Sequence, residues 1–332
     1  GDGQQDLLVN RQTKDLEAYN LYINGRKMWK TRTREGMRDS IEKFEIALSK
    51  DPDFALAYVG IADAYNQLVM YGHSPPQVAF PKAKEELKKA LALNDSLSEA
   101  HASFGFIQYV YDCNWDAALK SLIKALNLNP NYPDARRWLS HVHITMGNYS
   151  LALEEIDNGI NLEPNSGNML TAKSFYLIHA EKTDDAIKLA QLGIIRDPNF
   201  IRNYQALAQA NLKAGDYDAA LKAIEKGDGL YLGEYQLLKA RILASRGDVS
   251  EAKLILDEEI KKKDIDLISS TEIAKVFYDI NEDIKALDYL EMAIEEKDPE
   301  ITYLHVNFDW NRIGDSQRFK AICKRLNLPA KP

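Results

Sequence analysis

The side chains that most often carry chemistry are scattered in this sequence. His141 and His143 are the one close pair of histidines, and they stand two residues apart. On a helix that spacing turns them to different faces rather than toward a shared metal. His73, His101, His179 and His305 each stand alone. There is no HExxH, no G-x-S-x-G and no glycine-rich phosphate loop leading into a helix. Carboxylates are plentiful, but they alternate with lysines three or four residues away, as in KAKEELKK. That is the pattern of a solvated helix face rather than of an acid/base pair. The expectation is a chain that is not an enzyme and holds no metal or cofactor, so that whatever it does, it does by binding.

The elements that would position a binding surface are written as a repeat. ALKSLIKALNLNP ends at Pro130, ALEEIDNGINLEP at Pro164 and AIKLAQLGIIRDP at Pro198, with the prolines 34 residues apart. Ala118, Ala152 and Ala186 open the three blocks at the same step. A period of this length predicts helical hairpins, each burying its apolar face only against its neighbours, so the fold class is an all-α stack. Helical patterning starts near Leu16, and the same slot is filled by Ser40, Ala83, Ala118, Ala152, Ala186, Ala220, Ala252 and Ala286. Eight hairpins are therefore expected over residues 16–299, after a lead-in at 1–15 and before a non-repeating ending at 300–332. In that ending an extended connection should lead to an amphipathic capping helix over about Gln317–Leu326, with Leu304, Val306, Phe308 and Trp310 packed beneath it.

Several stretches depart from the period. MYGHSPPQVAFP adds nine residues between Tyr65 and Ala83, and its Gly72, Pro75, Pro76 and Pro81 predict a loop standing off the hairpin tip. GDGLYLGEY, with Leu232 where a proline is due, predicts a bend. Lys173 and Lys239 occupy slots that elsewhere are apolar, so either they snorkel or the register is locally wrong there. The turn KTRTREG, with Arg26, Lys27, Lys30, Arg32, Arg34 and Arg38 around it, reads as a solvated basic turn or as a dock for an acidic partner.

A formal charge of −8 argues against a phosphate-backbone binder, and no nucleic-acid partner is expected. No apolar run approaches the length of a spanning helix, so this stretch should not insert into a membrane. Cys113 and Cys323 lie about six repeats apart, too far for a disulfide in a neighbour-only stack. The chain lacks an initiator Met and has no leader-like start, which suggests a piece of something longer.

Tyr58, Ile61, Ala62 and Tyr65, followed by Ala83 and Leu87, fit the two halves of the tetratricopeptide signature, and the chain resembles that family. The resemblance implies a right-handed superhelical solenoid with a concave face lined by the first helix of each hairpin. The wording EAYNLYINGRKMW, AFPKAKEELKKALALNDSLSEAHASFGF and ITYLHVNFDWNRIGDSQRFKAICKRLNLP is similar to tetratricopeptide regions at the C-terminal end of bacterial signalling proteins. In those, the upstream part is a class III adenylate cyclase or a winged-helix regulator. What this implies is an interaction module, monomeric, that holds a peptide, a helix or its own effector domain. The alternative it leaves open is an accessory or sensor region of an enzyme such as a cyclase. A cytoplasmic location suits a regulator, with an extracytoplasmic one behind an upstream span as the alternative. Carried onto this sequence, the family's inward positions are Phe106 and Tyr109; Arg137, His141 and Thr145; Thr171, Phe175 and His179; and Arg202, Gln205, Gln209 and Lys213. This set mixes aromatic and cationic groups, which suits a partner with acidic or aromatic anchors, while Phe106 and Phe175 read equally as packing residues. The carboxylate-clamp asparagines of some family members are replaced here by His141 and Ala172, so that mode of binding is not expected.

Overall fold

The computed structural model describes residues 13–228, 235–263, 267–304 and 310–328. Among them there are only helices: 17 α-helices, α1 to α17, and one 3-10 helix. They fall into two compact units that meet in sequence at Pro130. The first holds α1 (Leu16–Trp29), α2 (Arg34–Lys50), α3 (Ala55–Met70), α4 (Pro76–Leu93), α5 (Ser98–Val110) and α6 (Trp115–Leu128). The second holds α7 (Pro133–Thr145), α8 (Tyr149–Leu162), α9 (Gly167–His179), α10 (Thr183–Arg196), α11 (Ile201–Ala214) and α12 (Tyr217–Asp228). It continues with α13 (Gln236–Arg246), α14 (Val249–Lys262), α15 (Ser270–Asp279), α16 (Asp283–Glu296), a 3-10 helix at Pro299–Tyr303 and α17 (Gln317–Arg325).

Within each unit consecutive helices pair, α1 with α2 through α5 with α6, then α7 with α8 through α15 with α16, giving three hairpins and five. The small-residue slots explain the pairing. Ser40, Ala83, Ala118, Ala152, Ala186, Ala220, Ala252 and Ala286 are all fully buried. They meet small residues on the first helix of the same hairpin: Ser174 Oγ donates to the Ala186 carbonyl at 2.9 Å, and Gly105 lies against Ala118 and Leu122. A Cβ at Gly105 would come within 2.7 Å of Leu122 Cγ, closer than packed carbon atoms tolerate. Large residues then fill what the small ones leave. Phe44 sits with Ala18, Ala57 and Ile61 in one such core, and Ile144, Ile156 and Met169 form part of another.

The helices of the spaced-proline blocks stop where the sequence says they must. Asp51, Asn129, Glu163 and Asp197, each just before a proline, have extended or near-extended backbone, because proline crowds the residue before it out of the helical region. First helices can end on glycine: Gly215 and Gly247 take the left-handed conformation after α11 and α13.

Two expectations are corrected. The stretch 70–81 is not a loop standing off the tip. α3 runs to Met70, and α4 begins at Pro76, where the missing N–H costs nothing because the first turn has no partner for it. Pro81 lies inside α4. The extra turn is held by Ala79 and Phe80, both fully buried, with the Phe80 ring against Phe106 and Tyr111. The connection after Pro299 is not extended at first but forms the 3-10 turn, nucleated by Asp298, whose carboxylate accepts from Glu300 N at 3.0 Å.

The capping helix stands where expected. In α17, Phe319 and Ile322 are buried, as are Leu326 just beyond it and Leu304 and Trp310 beneath. Arg318 pairs with Asp288 and Glu291 of α16 at 2.8 Å each. Val306, Phe308 and His305, the expected bend around Leu232 and the lead-in before Thr13 lie outside the described residues. Lys173 does snorkel, its Nζ 2.5 Å from Asp157.

Candidate functional site

The residues carried over from the family resemblance fall in both units, and they differ in accessibility. In the first unit, Phe106 and Tyr109 are 7 % and 0 % exposed, with the Tyr109 ring 5.6 Å from that of Trp115. In this conformation they pack the core and offer a partner almost no surface. The same unit holds a polar cluster that the carry-over missed. Asp63 on α3 pairs with Arg26 at 2.9 Å and accepts a hydrogen bond from Ser103. Its signal was in the sequence, since Asp63 is the one charged residue in the helix ALAYVGIADAYNQLVM.

The second unit brings the larger set together. Arg137 and His141 are four residues apart on α7, hence on one face. Arg137 is half-buried, pairs with Asp134 at 3.0 Å and lies over the Trp138 ring. His141 Nδ1 is 2.8 Å from the Tyr176 hydroxyl of α9, which in turn is 2.9 Å from Ser140 Oγ. The proton order of this chain follows from counting donors. Ser140 gives its hydrogen to the Arg137 carbonyl at 2.7 Å, so Tyr176 must give its own to Ser140, and His141 must donate Nδ1–H to the Tyr176 oxygen. Nε2 is then the acceptor. The cause of this neutral state is first burial and then the positive charges of Arg137 and Arg202, which hold His141 well below the usual histidine range. Tyr176, fully enclosed, is pushed far above the usual tyrosine value by burial.

His179, at the end of α9, stacks on Tyr149 with ring centres 5.1 Å apart and a 2.8 Å contact between Nε2 and the hydroxyl. Thr145 and Thr171 are buried, the latter donating to Asn203 Oδ1 at 3.1 Å. Phe175, Arg202, Gln205 and Gln209 are half-buried, and Lys213 is exposed. Thus the charges of Arg137 and Arg202 both bear on His141, while Thr145 and Thr171 are withdrawn into the packing.

Two further residues bear on His141 and Arg202, and the repeat pattern could not have found them. Tyr303, from the 3-10 turn, sets its ring edge-on to His141, 5.7 Å away, and packs on the core of α7, α8 and α9. Glu300, from the same turn, feels Lys275 and Arg202 as attracting charges and Glu272 and Asp298 as repelling ones. Lys275 is only 2 % exposed and is held by Glu272 at 2.5 Å. Burial works against the Glu272 charge, but Lys275 and Arg241 outweigh it and keep that carboxyl below its ordinary range. Next to it Arg241 pairs with Asp279 at 3.0 Å. Among the described residues, no group of three or more histidine, cysteine or carboxylate side chains could hold a metal, and no helix is long and apolar enough to cross a membrane.

Residues 114–174 match the family model described as Tetratricopeptide repeat. Among curated proteins, the DnaJ homolog subfamily C member 7 homolog of Dictyostelium discoideum is 20 % identical over 199 residues, 55 % of this chain. The chain spans 35 % of that relative's length. Of the solved structures, the Cut9–Hcn1 hetero-tetramer of the APC/C aligns with a TM-score of 0.59 at 15 % identity, over 87 % of this chain and 51 % of that one. PilW, a type IV pilus biogenesis factor, aligns at 0.51 and 17 % identity over 67 % and 98 %. TTC0263, a tetratricopeptide protein of Thermus thermophilus, aligns at 0.50 and 16 % identity over 59 % and 99 %. At these identities the likeness is one of fold, and the all-helical hairpin architecture is that of tetratricopeptide solenoids. Such scaffolds are generally non-enzymatic and mediate protein–protein interaction.

Proposed function

We propose that this chain, whose helical hairpins carry tetratricopeptide repeats, is an interaction module that holds a peptide segment on the face formed by α7, α9 and α11. One observation carries the reading. Successive first helices present half-buried groups of the kinds that anchor peptides: Arg137 and His141, then Phe175 and His179, then Arg202, Gln205 and Gln209. Guanidinium and aromatic groups in partly desolvated positions supply most of the energy in small interfaces, and two arginines acting on one spot favour a carboxylate there. The preferred partner is therefore a peptide with acidic and aromatic anchors. The likeness of the ending to signalling proteins supports a regulatory role, with the peptide coming from another protein or from an effector joined to this chain.

The test is a peptide array of varied sequence probed with the purified chain. Sequences combining a carboxylate with an aromatic residue are expected to be enriched, and the enrichment should disappear for the Arg137→Ala, Arg202→Ala double variant. An array that selects nothing, or a selection that survives both substitutions, rejects this face as the binding site.

A further inference from the structure

The first unit holds a cleft that the pairing of its helices does not fill. α2 and α4, the second helices of the first two hairpins, both pack on α3 and scarcely on each other, and the space between them measures about 290 Å³. Small-molecule pockets run from about 300 to 1,000 Å³, so this cleft has room for one side chain rather than for a cofactor. α3 contributes Tyr58, Ile61 and Tyr65, α2 contributes Glu45, and α4 contributes Lys82, Glu85, Glu86 and Lys89. The two tyrosines stand four before and three after Ala62, the small residue of α3, and no other first helix has tyrosine at both of these positions. Both rings are half-buried, and each already has a cation near its face. Lys82 Nζ is 5.5 Å from the centre of the Tyr65 ring, and Lys89 Nζ is 5.8 Å from that of Tyr58. These distances are near the outer limit for attraction to a ring face. Lys89 is also held by Glu86 at 2.9 Å and Glu85 at 3.6 Å. Glu45 makes no ion pair among the described residues. Its charge bears on the cleft all the same: burial first, then Glu45 and Glu86, raise the Tyr65 hydroxyl above its usual value. Three carboxylates thus face two ammonium groups around two aromatic rings, which leaves negative charge in excess.

We infer that this cleft takes the guanidinium of an arginine side chain presented by a basic segment of a partner protein, with the Tyr58 and Tyr65 rings and the carboxylates of Glu45, Glu85 and Glu86 as its receptors. The inference goes beyond the reading above, since it concerns another unit, other helices and the opposite charge, and either site can fail without the other. A guanidinium is planar, stacks on aromatic faces, is weakly hydrated and carries five N–H donors for the carboxylates. The ammonium groups now in the cleft are compact and strongly hydrated, so they hold it less well. A quaternary ammonium would suit the rings but bring no hydrogen for the carboxylates, and an acidic group would meet three like charges. Lys82 and Lys89 are then place-holders. Both are exposed on long stems and can swing into water without disturbing the helix packing. The chain's net charge of −8 favours encounter with such a partner.

The probe is a fluorescein-labelled synthetic peptide with one arginine among glycines and serines, followed by anisotropy against the full chain. The same peptide with lysine, norleucine or aspartate in place of the arginine serves for comparison. The arginine peptide should bind at least about threefold more tightly than the lysine peptide, and both more tightly than the other two. Removing the place-holders should help: the Lys82→Ala, Lys89→Ala double variant is expected to tighten the arginine peptide by about threefold to tenfold. Lys120→Ala, Lys124→Ala removes the same charge from exposed positions on α6 and should change little at physiological salt. In the Lys82→Ala, Lys89→Ala background, Glu45→Gln and Tyr65→Leu should each abolish the gain. An equal gain from both lysine pairs reduces the effect to net charge and overturns the inference. So does an arginine peptide bound no better than the norleucine one, or no binding of any peptide once Lys82 and Lys89 are removed. Preference for the aspartate peptide, lost together with the two lysines, makes the cleft an anion site and also overturns it. The lysine and Glu45 substitutions fall on exposed side chains, so the comparison decides the matter even if Tyr65→Leu melts without cooperativity.

Discussion

Gly105 shows how little room the paired helices leave one another. Alanine is favoured over glycine in a helix interior by about 1 kcal/mol, so on propensity alone Gly105→Ala would stabilise. The added carbon, however, would stand 2.7 Å from Leu122 Cγ, and Leu122 is fully buried with nowhere to move. Overpacking of this kind costs about 1–3 kcal/mol, so the net change in urea denaturation should be destabilising. In a Leu122→Ala background, itself about 2–5 kcal/mol less stable, the same substitution should cost less, because the nearer obstacle is gone and only the Ala118 carbonyl at 3.3 Å remains. A second residue-scale prediction concerns the chain from His141 to Ser140. Tyr176→Phe leaves the His141 Nδ1–H without its acceptor in a largely enclosed site, a loss of about 1–3 kcal/mol. The histidine also fixes a direction of pH dependence. Its folded-state value is depressed, so its contribution to stability is complete above the unfolded value near 6.5 and is lost as the pH falls below it. The slope should reach at most about 1.4 kcal/mol per pH unit, and His141→Gln should flatten it in acid denaturation monitored by circular dichroism.

At the scale of elements, α4 makes the sharpest prediction because it contains a proline where a helix would rather have none. Pro81 lacks the N–H that would reach the Gln77 carbonyl, at a cost of up to about 3 kcal/mol in a helix interior. Pro81→Ala should therefore raise the melting temperature. A fall would mean that the proline's kink is what seats Phe80 against Phe106 and Tyr111. The same helix marks the limit of what the residues announced. The hairpins were legible because their cause is local and repeated: Ala118, Ala152, Ala186 and Ala220, each 34 positions after the last, let two helices approach, and Pro130, Pro164 and Pro198 stop the second helix of the first three. The fate of 70–81 was not, since the breakers there are outweighed by burial of Ala79 and Phe80, which depends on surfaces supplied by other helices. The residues carried over to α7, α9 and α11 were chosen by position, and position alone did not distinguish Arg202 and Gln205, which keep exposure, from Thr145 and Thr171, which are packed. Tyr303 belongs to no period, so nothing in the spacing connected it with His141, 162 positions earlier.

At the scale of the second unit, that connection changes how stability is distributed. A stack of hairpins with nearest-neighbour contacts unfolds as a chain of coupled steps, and a perturbation at one end fades with distance. The turn at Pro299–Tyr303 instead ties the last hairpin to α7, α8 and α9. Tyr303→Ala should accordingly speed amide hydrogen exchange in α7–α9 as well as in the turn, and leave α11–α14 between them less affected. Exchange that changes only near residue 303 would show the contact to be energetically idle. The carboxylate on the same turn gives the link a pH sense. Burial first, and Glu272 second, raise Glu300 above the usual value of 4.5, with Asp298 adding to the rise, while Lys275 on α15 and Arg202 on α11 oppose it. A raised carboxyl favours the seated, protonated form: the contribution is complete below the unfolded value and is lost as the pH climbs through the folded one. Acidification toward 4.5 should therefore slow exchange in α7–α9 through this turn, against the opposing trend set by His141. Glu300→Gln, seated without a charge to bury, should hold those amides protected at neutral pH and abolish the turn's share of the pH response.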